Sequence, residues 1–275
     1  QKPTENPIRI VRSTNGGQSF SLPVTVASIV PFDSTDFGPD TCGDGPFACP
    51  SGLTYARFSS LSAVAADARG VHVVWSARNA DGQAKIYAST SPDGVSWPTS
   101  GATLDGVSTG HQFFPDADAL AGRLAVMWQD SRPDPCYDVQ LPIGNMEDAT
   151  SCGTAIVDTF VAVSEDGVNF DPAVQASSVA NQPQYEMFAN RQVPFYGDYN
   201  WIQLVELGDG SLFGYLTWTD NRDVVEGTDS REEEQDGFDV HQCRALQPDG
   251  TYGPDTCPNA GGLNQNIYGN SVTIP

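Results

Sequence analysis

Residues Ser91 to Trp97, SPDGVSW, follow a run of strand composition and order their side chains as a tight chain reversal requires. The Asp can accept hydrogen bonds from backbone N–H groups inside the turn, and Gly94 can take the positive φ of a sharp corner. Trp97 then returns to the apolar side of the next strand. The same order recurs in SEDGVNF, Ser164 to Phe170, and in STNGGQSF, Ser13 to Phe20, with Asn15 in the place of the Asp. A weaker copy, QPDGTY, spans Gln247 to Tyr252 and lacks the Ser. The three fuller copies start at residues 13, 91 and 164, spacings of 78 and 73 residues. A near-constant spacing marks a repeat architecture.

Outward from Ser91, the unit completes itself. Phe58 to Ala66 reads as a strand of small residues, Val71 to Arg78 as a buried one, Lys85 to Thr90 as a third, and the segment from Trp97 as a fourth. Four antiparallel strands joined by tight turns make one propeller blade. A second unit follows with Phe113 to Ala119, Arg123 to Asp130, Val157 to Ser164 and the strand from Asn169. A third runs through Tyr199 to Glu206, Leu212 to Thr219, Phe238 to Leu246 and a weak strand near Tyr252. Residues 8 to 24 supply two further strands around the first turn. The expected fold is therefore an all-β propeller of four-stranded antiparallel blades, with about three and a half blades over residues 1–275. Long insertions interrupt it at 25–56, 133–156 and 223–237.

A second repeat keeps the register. The second strands end in WSAR at Trp75, WQDSR at Trp128 and WTDNR at Trp218. In the latter two, Trp, Asp and Arg at alternate positions share one strand face, an arrangement suited to fixing blade contacts rather than to catalysis once per blade.

Composition narrows the function. The chain carries 35 acidic and 13 basic residues, a net charge of −22, which repels nucleic acid and anionic membranes. No apolar run is long enough to span a bilayer, and no signal peptide is present, so the chain reads as mature, processed or truncated. The six cysteines fall in three close pairs, Cys42 with Cys49, Cys136 with Cys152, and Cys243 with Cys257. Without CxxC or Cys/His spacing, they read as local disulfides stapling loops, which implies an oxidising, extracellular setting.

The Ser/Asp/Gly/aromatic segments resemble the Asp boxes (BNR repeats) of sialidase-like β-propellers, whose pattern is SxDxGxxW or its Phe variant. A sialidase propeller has six blades. The resemblance therefore implies that the rest lie on another chain, or upstream of Gln1, or that a smaller propeller is closed by the tail Gly262 to Pro275. The element FYGDY, Phe195 to Tyr199, with Trp218 to Arg222, resembles a pairing found in secreted BNR-repeat proteins. Sialidase activity would need three arginines on the substrate carboxylate, a Tyr nucleophile activated by Glu, and an Asp acid/base. The candidates are Arg57, Arg191 and Arg222, Tyr199 with Glu186 or Glu206, and Asp198. The family's FRIP motif is absent, and the nearest string is IRIV at Ile8 to Val11.

In a propeller the loops entering the first strand of each blade build the pocket at the channel mouth. That rule adds His111 and Asp116 as candidate binding residues, and Arg222 at the end of the WTDNR element is a third. No cofactor is required. Calcium has candidate carboxylate ligands at Asp36, Asp40 and Asp44, and at Asp229 and Glu232 in the acidic insertion. The leading expectation is a secreted or cell-surface module that binds a glycan or an extracellular protein. The alternatives are an exo-sialidase-like glycoside hydrolase and a structural subunit of an extracellular assembly, in which another chain completes the propeller.

Overall fold

The computed structural model describes residues 6–30, 60–135, 137, 139, 156–181, 197, 199–222, 248 and 266–275, and the backbone of 40–41 and 48–49. These residues form strands and turns with no helix. β1 (Asn6–Ile10) pairs with β2 (Val24–Ile29), and β3 (Asp40–Thr41) with β4 (Ala48–Cys49). β5 (Ser62–Asp67), β6 (Gly70–Arg78), β7 (Ala84–Ser91) and β8 (Ala102–Thr103) make the first blade in that order. β9 (Gln112–Leu120), β10 (Arg123–Asp130), β11 (Asp158–Ser164) and β12 (Val174–Gln175) make the second. β13 (Trp201–Glu206), β14 (Leu212–Asp220) and β15 (Asn266–Ile274) make the third.

The architecture is that of a β-propeller. The first strands β5, β9 and β13 pack side by side, and each sheet lays one face on the next. Three apolar layers fill the spaces between sheets. Val26, Ala27 and Ile29 meet Val73, Trp75 and Ala77. Ala65, Val74 and Ile86 meet Ala117, Val126 and Trp128, while Ala125, Met127 and Val161 meet Ile202, Leu216 and Trp218. Strands buried on both faces lose the polar alternation of a surface sheet, which is why VHVVWSAR and RLAVMWQD read as near-continuous apolar runs.

The turns are wired as their sequences require. The Ser91 hydroxyl accepts from Gly94 N at 2.9 Å, and Asp93 Oδ1 accepts from Val95 N at 2.8 Å and Ser96 N at 2.7 Å. Ser164 and Asp166 repeat this with Gly167, Val168 and Asn169. Ser13 and Asn15 do the same for Gly17 and Ser19, so an amide oxygen serves where the carboxylate stood. Gly94, Gly167 and Gly17 take φ of 68°, 73° and 85°. Trp97 and Phe170 pack against the core, but Phe20 stays 63% exposed.

Several boundaries differ from the sequence expectation. The first strand of blade 1 begins at Ser62 rather than Phe58. The fourth strands begin at Ala102 and Val174, well after Trp97 and Asn169, and each is two residues long. Residues 25–29, expected within the insertion 25–56, belong to β2, where Val26, Ala27 and Ile29 are buried against blade 1. The third strand of blade 3 is β15, from the tail, paired with all nine residues of β14. The expected third strand, Phe238 to Leu246, lies outside the described residues, as do the 133–156 insertion apart from residues 133–135, 137, 139 and 156, and the acidic 223–237 insertion.

Candidate functional site

Antiparallel pairing sorts the connections to two ends. The Ser/Asp turns lie at one end, with the β5–β6, β9–β10 and β13–β14 hairpins. At the other end lie the β6–β7 turn (79–83), the entry to β9, the end of β10, the start of β11, the entry to β13 and the end of β14. Loops held at one rim of a rigid scaffold are where binding residues concentrate.

At this rim blade 1 opens a cleft of 690 Å³. Its walls include Asp81, Gln83, Lys85, Tyr87, Asp105 and Tyr137. The β6–β7 turn is fixed by Asn79, whose Oδ1 accepts from Gln83 N at 2.8 Å. Gln83 Nε2 then donates to Ser108 O at 2.6 Å and to the Tyr137 hydroxyl at 3.0 Å, tying the turn to the entry of β9 and to the segment after β10. Lys85 is 5% exposed, and its amine donates to Val107 O at 2.8 Å. Burial pushes that amine below its ordinary value, against the opposing pull of Asp130 and Asp105. Burial also raises the Tyr87 phenol.

Behind the cleft stands the WxDxR element of blade 2. Buried Asp130 accepts from Trp128 Nε1 and Gln112 Nε2, both at 3.0 Å, and pairs with Arg132. The guanidinium of Arg132 also bonds Asp105 and lies 4.0 Å over the Phe160 ring. Those two carboxylates hold Arg132 above its ordinary pKa despite burial. Blade 3 repeats the element. Asp220 takes the Trp218 Nε1 bond at 3.0 Å and pairs with Arg222, which stacks 4.1 Å over Tyr268. The Trp/Asp/Arg repeat thus clamps the second strand to the third within a blade, and in blade 2 it also reaches Asp105 on the connection from blade 1.

The residues expected from sequence divide accordingly. His111 is buried in the wall behind the cleft, where its Nδ1 accepts from Ala84 N at 3.2 Å and its ring meets Tyr137 edge-on at 5.2 Å. Asp116 lies on β9 and accepts from Ile202 N at 2.9 Å, and Asp118 does the same for Leu204 N at 2.8 Å. Burial raises Asp116 above the usual carboxylate range. Arg222 is the clamp residue of blade 3. Tyr199 is 78% exposed beside Asn200, whose amide donates to Phe114 O at 2.8 Å. Phe114 itself sits at φ 50° in a bulge of β9 opposite Trp128, a costly conformation for a bulky residue at the entry to the channel-lining strand.

Arg57, Glu186, Arg191, Asp198, Asp36, Asp44, Asp229 and Glu232 lie outside the described residues, and Asp40 is described by backbone alone. Cys42, Cys136, Cys152, Cys243 and Cys257 also lie outside them, and Cys49 is described only as backbone of β4. Among the described residues no group of three or more His, Cys, Asp or Glu is placed to hold a metal ion. Nor is any helix among them long and apolar enough to cross a membrane.

No family model matches the chain, and no curated protein matches it. Among solved structures it is similar to the Penicillium chrysogenum alpha-L-arabinanase complexed with arabinobiose, at 15% identity and TM-score 0.36, covering 80% of this chain and 51% of that one. It is similar to the GH93 alpha-L-arabinofuranosidase of Fusarium graminearum at 14% identity and TM-score 0.36, covering 95% and 57%. A third is an N-acetylgalactosamine deacetylase from F. plautii, at 10% identity and TM-score 0.38, covering 79% and 51%. The chain spans about half the length of each of these structures.

Proposed function

We propose that this chain is a glycan-binding β-propeller module of the Asp-box, sialidase-like type, working outside the cell, with its binding cleft at the rim of blade 1. The observation that carries the reading is the lining of that cleft: the Lys85 amine, the Asp81 and Asp105 carboxylates and the Gln83 amide beside the rings of Tyr87 and Tyr137. A sugar offers hydroxyls that both donate and accept, and C–H faces that lie on aromatic rings. The cleft supplies both kinds of partner, in a volume usual for a small-molecule site. The family reading is supported by the same serine and aspartate or asparagine wiring in three turns. The extracellular setting is supported by the paired cysteine spacing and the acidic surface.

The cleft favours a neutral sugar over an acidic one. Two carboxylates face one amine, and the guanidinium of Arg132 is already bonded to Asp130 and Asp105. Calorimetric titration with neutral mono- and disaccharides should give binding. Asp81→Asn and Lys85→Met should each weaken it by about tenfold, the cost of one lost charged hydrogen bond. Unchanged affinity in both variants would defeat the assignment to this cleft. Turnover of a fluorogenic sialoside, abolished by Arg191→Ala, would replace the binding reading with the hydrolase one.

A further inference from the structure

The first Ser/Asp-type corner carries an amide where the other two carry acids, and its geometry exposes that amide to attack. Asn15–Gly16 is the one Asn–Gly step in the chain. Gly16 is exposed, nothing lies within 4 Å of where a Cβ would stand, and its N–H has no hydrogen-bond partner among the described residues. Across the reacting centre, Asn15 Oδ1 accepts from the Ser13 hydroxyl at 2.9 Å and from Ser19 N at 3.0 Å. Two donors on that oxygen make Cγ more electrophilic, and they already face the negative charge that Oδ1 gains when Cγ is attacked. The amide nitrogen donates to Ser19 Oγ at 2.9 Å. The corner also has the partners of a carboxylate in place. In the second corner Asp93 Oδ1 accepts from the Ser91 hydroxyl at 3.0 Å and from Ser96 N at 2.7 Å, while Oδ2 accepts from the Ser96 hydroxyl at 3.0 Å. Ser13 and Ser19 stand to residue 15 as Ser91 and Ser96 stand to Asp93. Rotation of the Ser19 O–H from acceptor to donor completes the match.

We propose that Asn15 is a self-modification site, which deamidates to Asp through a cyclic imide and so converts the first corner to the acid form of the other two. Gly16 N gives its proton to solvent and attacks Asn15 Cγ. A Cγ–N bond forms, and the side-chain nitrogen takes up a proton and leaves as ammonia. Water then adds at Cγ, the Cγ–N bond breaks, and the proton returns to Gly16 N, leaving a carboxylate at residue 15. The balance is one water consumed and one ammonium released, with no oxidant and no cofactor. Opening at the main-chain carbonyl would instead leave an isoaspartyl link. The donors on Oδ1 act on Cγ in both steps, so they direct water to Cγ and make ordinary Asp the product.

Peptide mass spectrometry tests this on the 275-residue chain incubated in heavy-oxygen water at mildly alkaline pH, folded and in urea. In the folded chain Asn15 should convert at least about tenfold faster than Asn79, whose Oδ1 also accepts two backbone bonds but which precedes Ala80. The product should carry one heavy oxygen and one more negative charge, in aspartyl rather than isoaspartyl linkage. Ser13→Ala removes one donor from Oδ1 and should slow the conversion about tenfold, and Ser13→Thr should restore it. Conversion as fast or faster in urea than in the folded chain would show that the corner shields Asn15 and would overturn the proposal, with no substitution needed. Faster conversion in Ser13→Ala, a mainly isoaspartyl product, or no conversion at all would overturn it too.

Discussion

Blades 2 and 3 share a strand order and a Trp/Asp/Arg clamp, yet the sides they turn away from the preceding blade differ completely. In blade 2 that side carries Ala125, Met127 and Val161, buried against blade 3, with Asp116 and Asp118 bonded to β13. In blade 3 the matching positions carry Tyr215, Thr217 and Gly269, with Trp201 and Gln203 in place of the two aspartates. The first set is shaped to a fixed neighbour. The second carries two exposed rings, Trp201 and Tyr215, and meets no other sheet among the described residues.

The comparison breaks most readily at its core. Trp128, fully buried between blades 1 and 2, should cost about 3–5 kcal/mol when replaced by Ala, read by urea denaturation. Trp201→Ala, at a 64% exposed position, should stay within about 0.5 kcal/mol, as surface changes do. Equal losses would mean that Trp201 is packed within its own chain. A smaller effect is expected at the strut between blades. Asp118→Ala strands both the buried Leu204 N–H and the Gln203 amide and should cost about 1–3 kcal/mol, whereas Gln203→Ala leaves the Leu204 bond in place and should cost less.

The finest test is the pH dependence of stability. Burial raises Asp116 above its ordinary 3.8, so its contribution is fully present below that value and is lost as pH rises through the higher folded value. The backbone N–H groups of Ser96 and Val95 lower Asp93, and those of Asn169 and Val168, with the Asn169 side chain, lower Asp166. Their contributions are present above 3.8 and are lost as pH falls through the lower folded values. Asp116→Asn should therefore flatten the unfolding free energy on the side above 3.8, and Asp93→Asn the acid side below it. A series of denaturant titrations across that range would show the two slopes changing independently.

The second strands were legible because burial on both faces makes them apolar throughout. Arg123 to Asp130 matched β10 residue for residue, and Val71 to Arg78 missed β6 by the turn residue Gly70. The outer strands were not legible, since two ladder positions leave no pattern to read. A strand in the tail was expected, but its place as the third strand of blade 3 was not legible, because its partner β14 lies far upstream in sequence. The cleft is assembled from the β6–β7 turn, the entry to β9 and Tyr137, which share no local motif. One signal was present: Lys85, one of two lysines in the chain, stands between Ala84 and Ile86 in a strand otherwise fit for burial. His111 was singled out for its position before β9, and that position puts it against Tyr137 in the wall rather than at the opening.

Each serine-and-acid corner closes its bonds within seven residues and borrows nothing from the opposite rim. Segments grafted, lengthened or swapped between β6 and β7, or ahead of β9, would thus meet a framework whose alignment is already locked from behind. Such a scaffold can change what it grips while keeping how it stands.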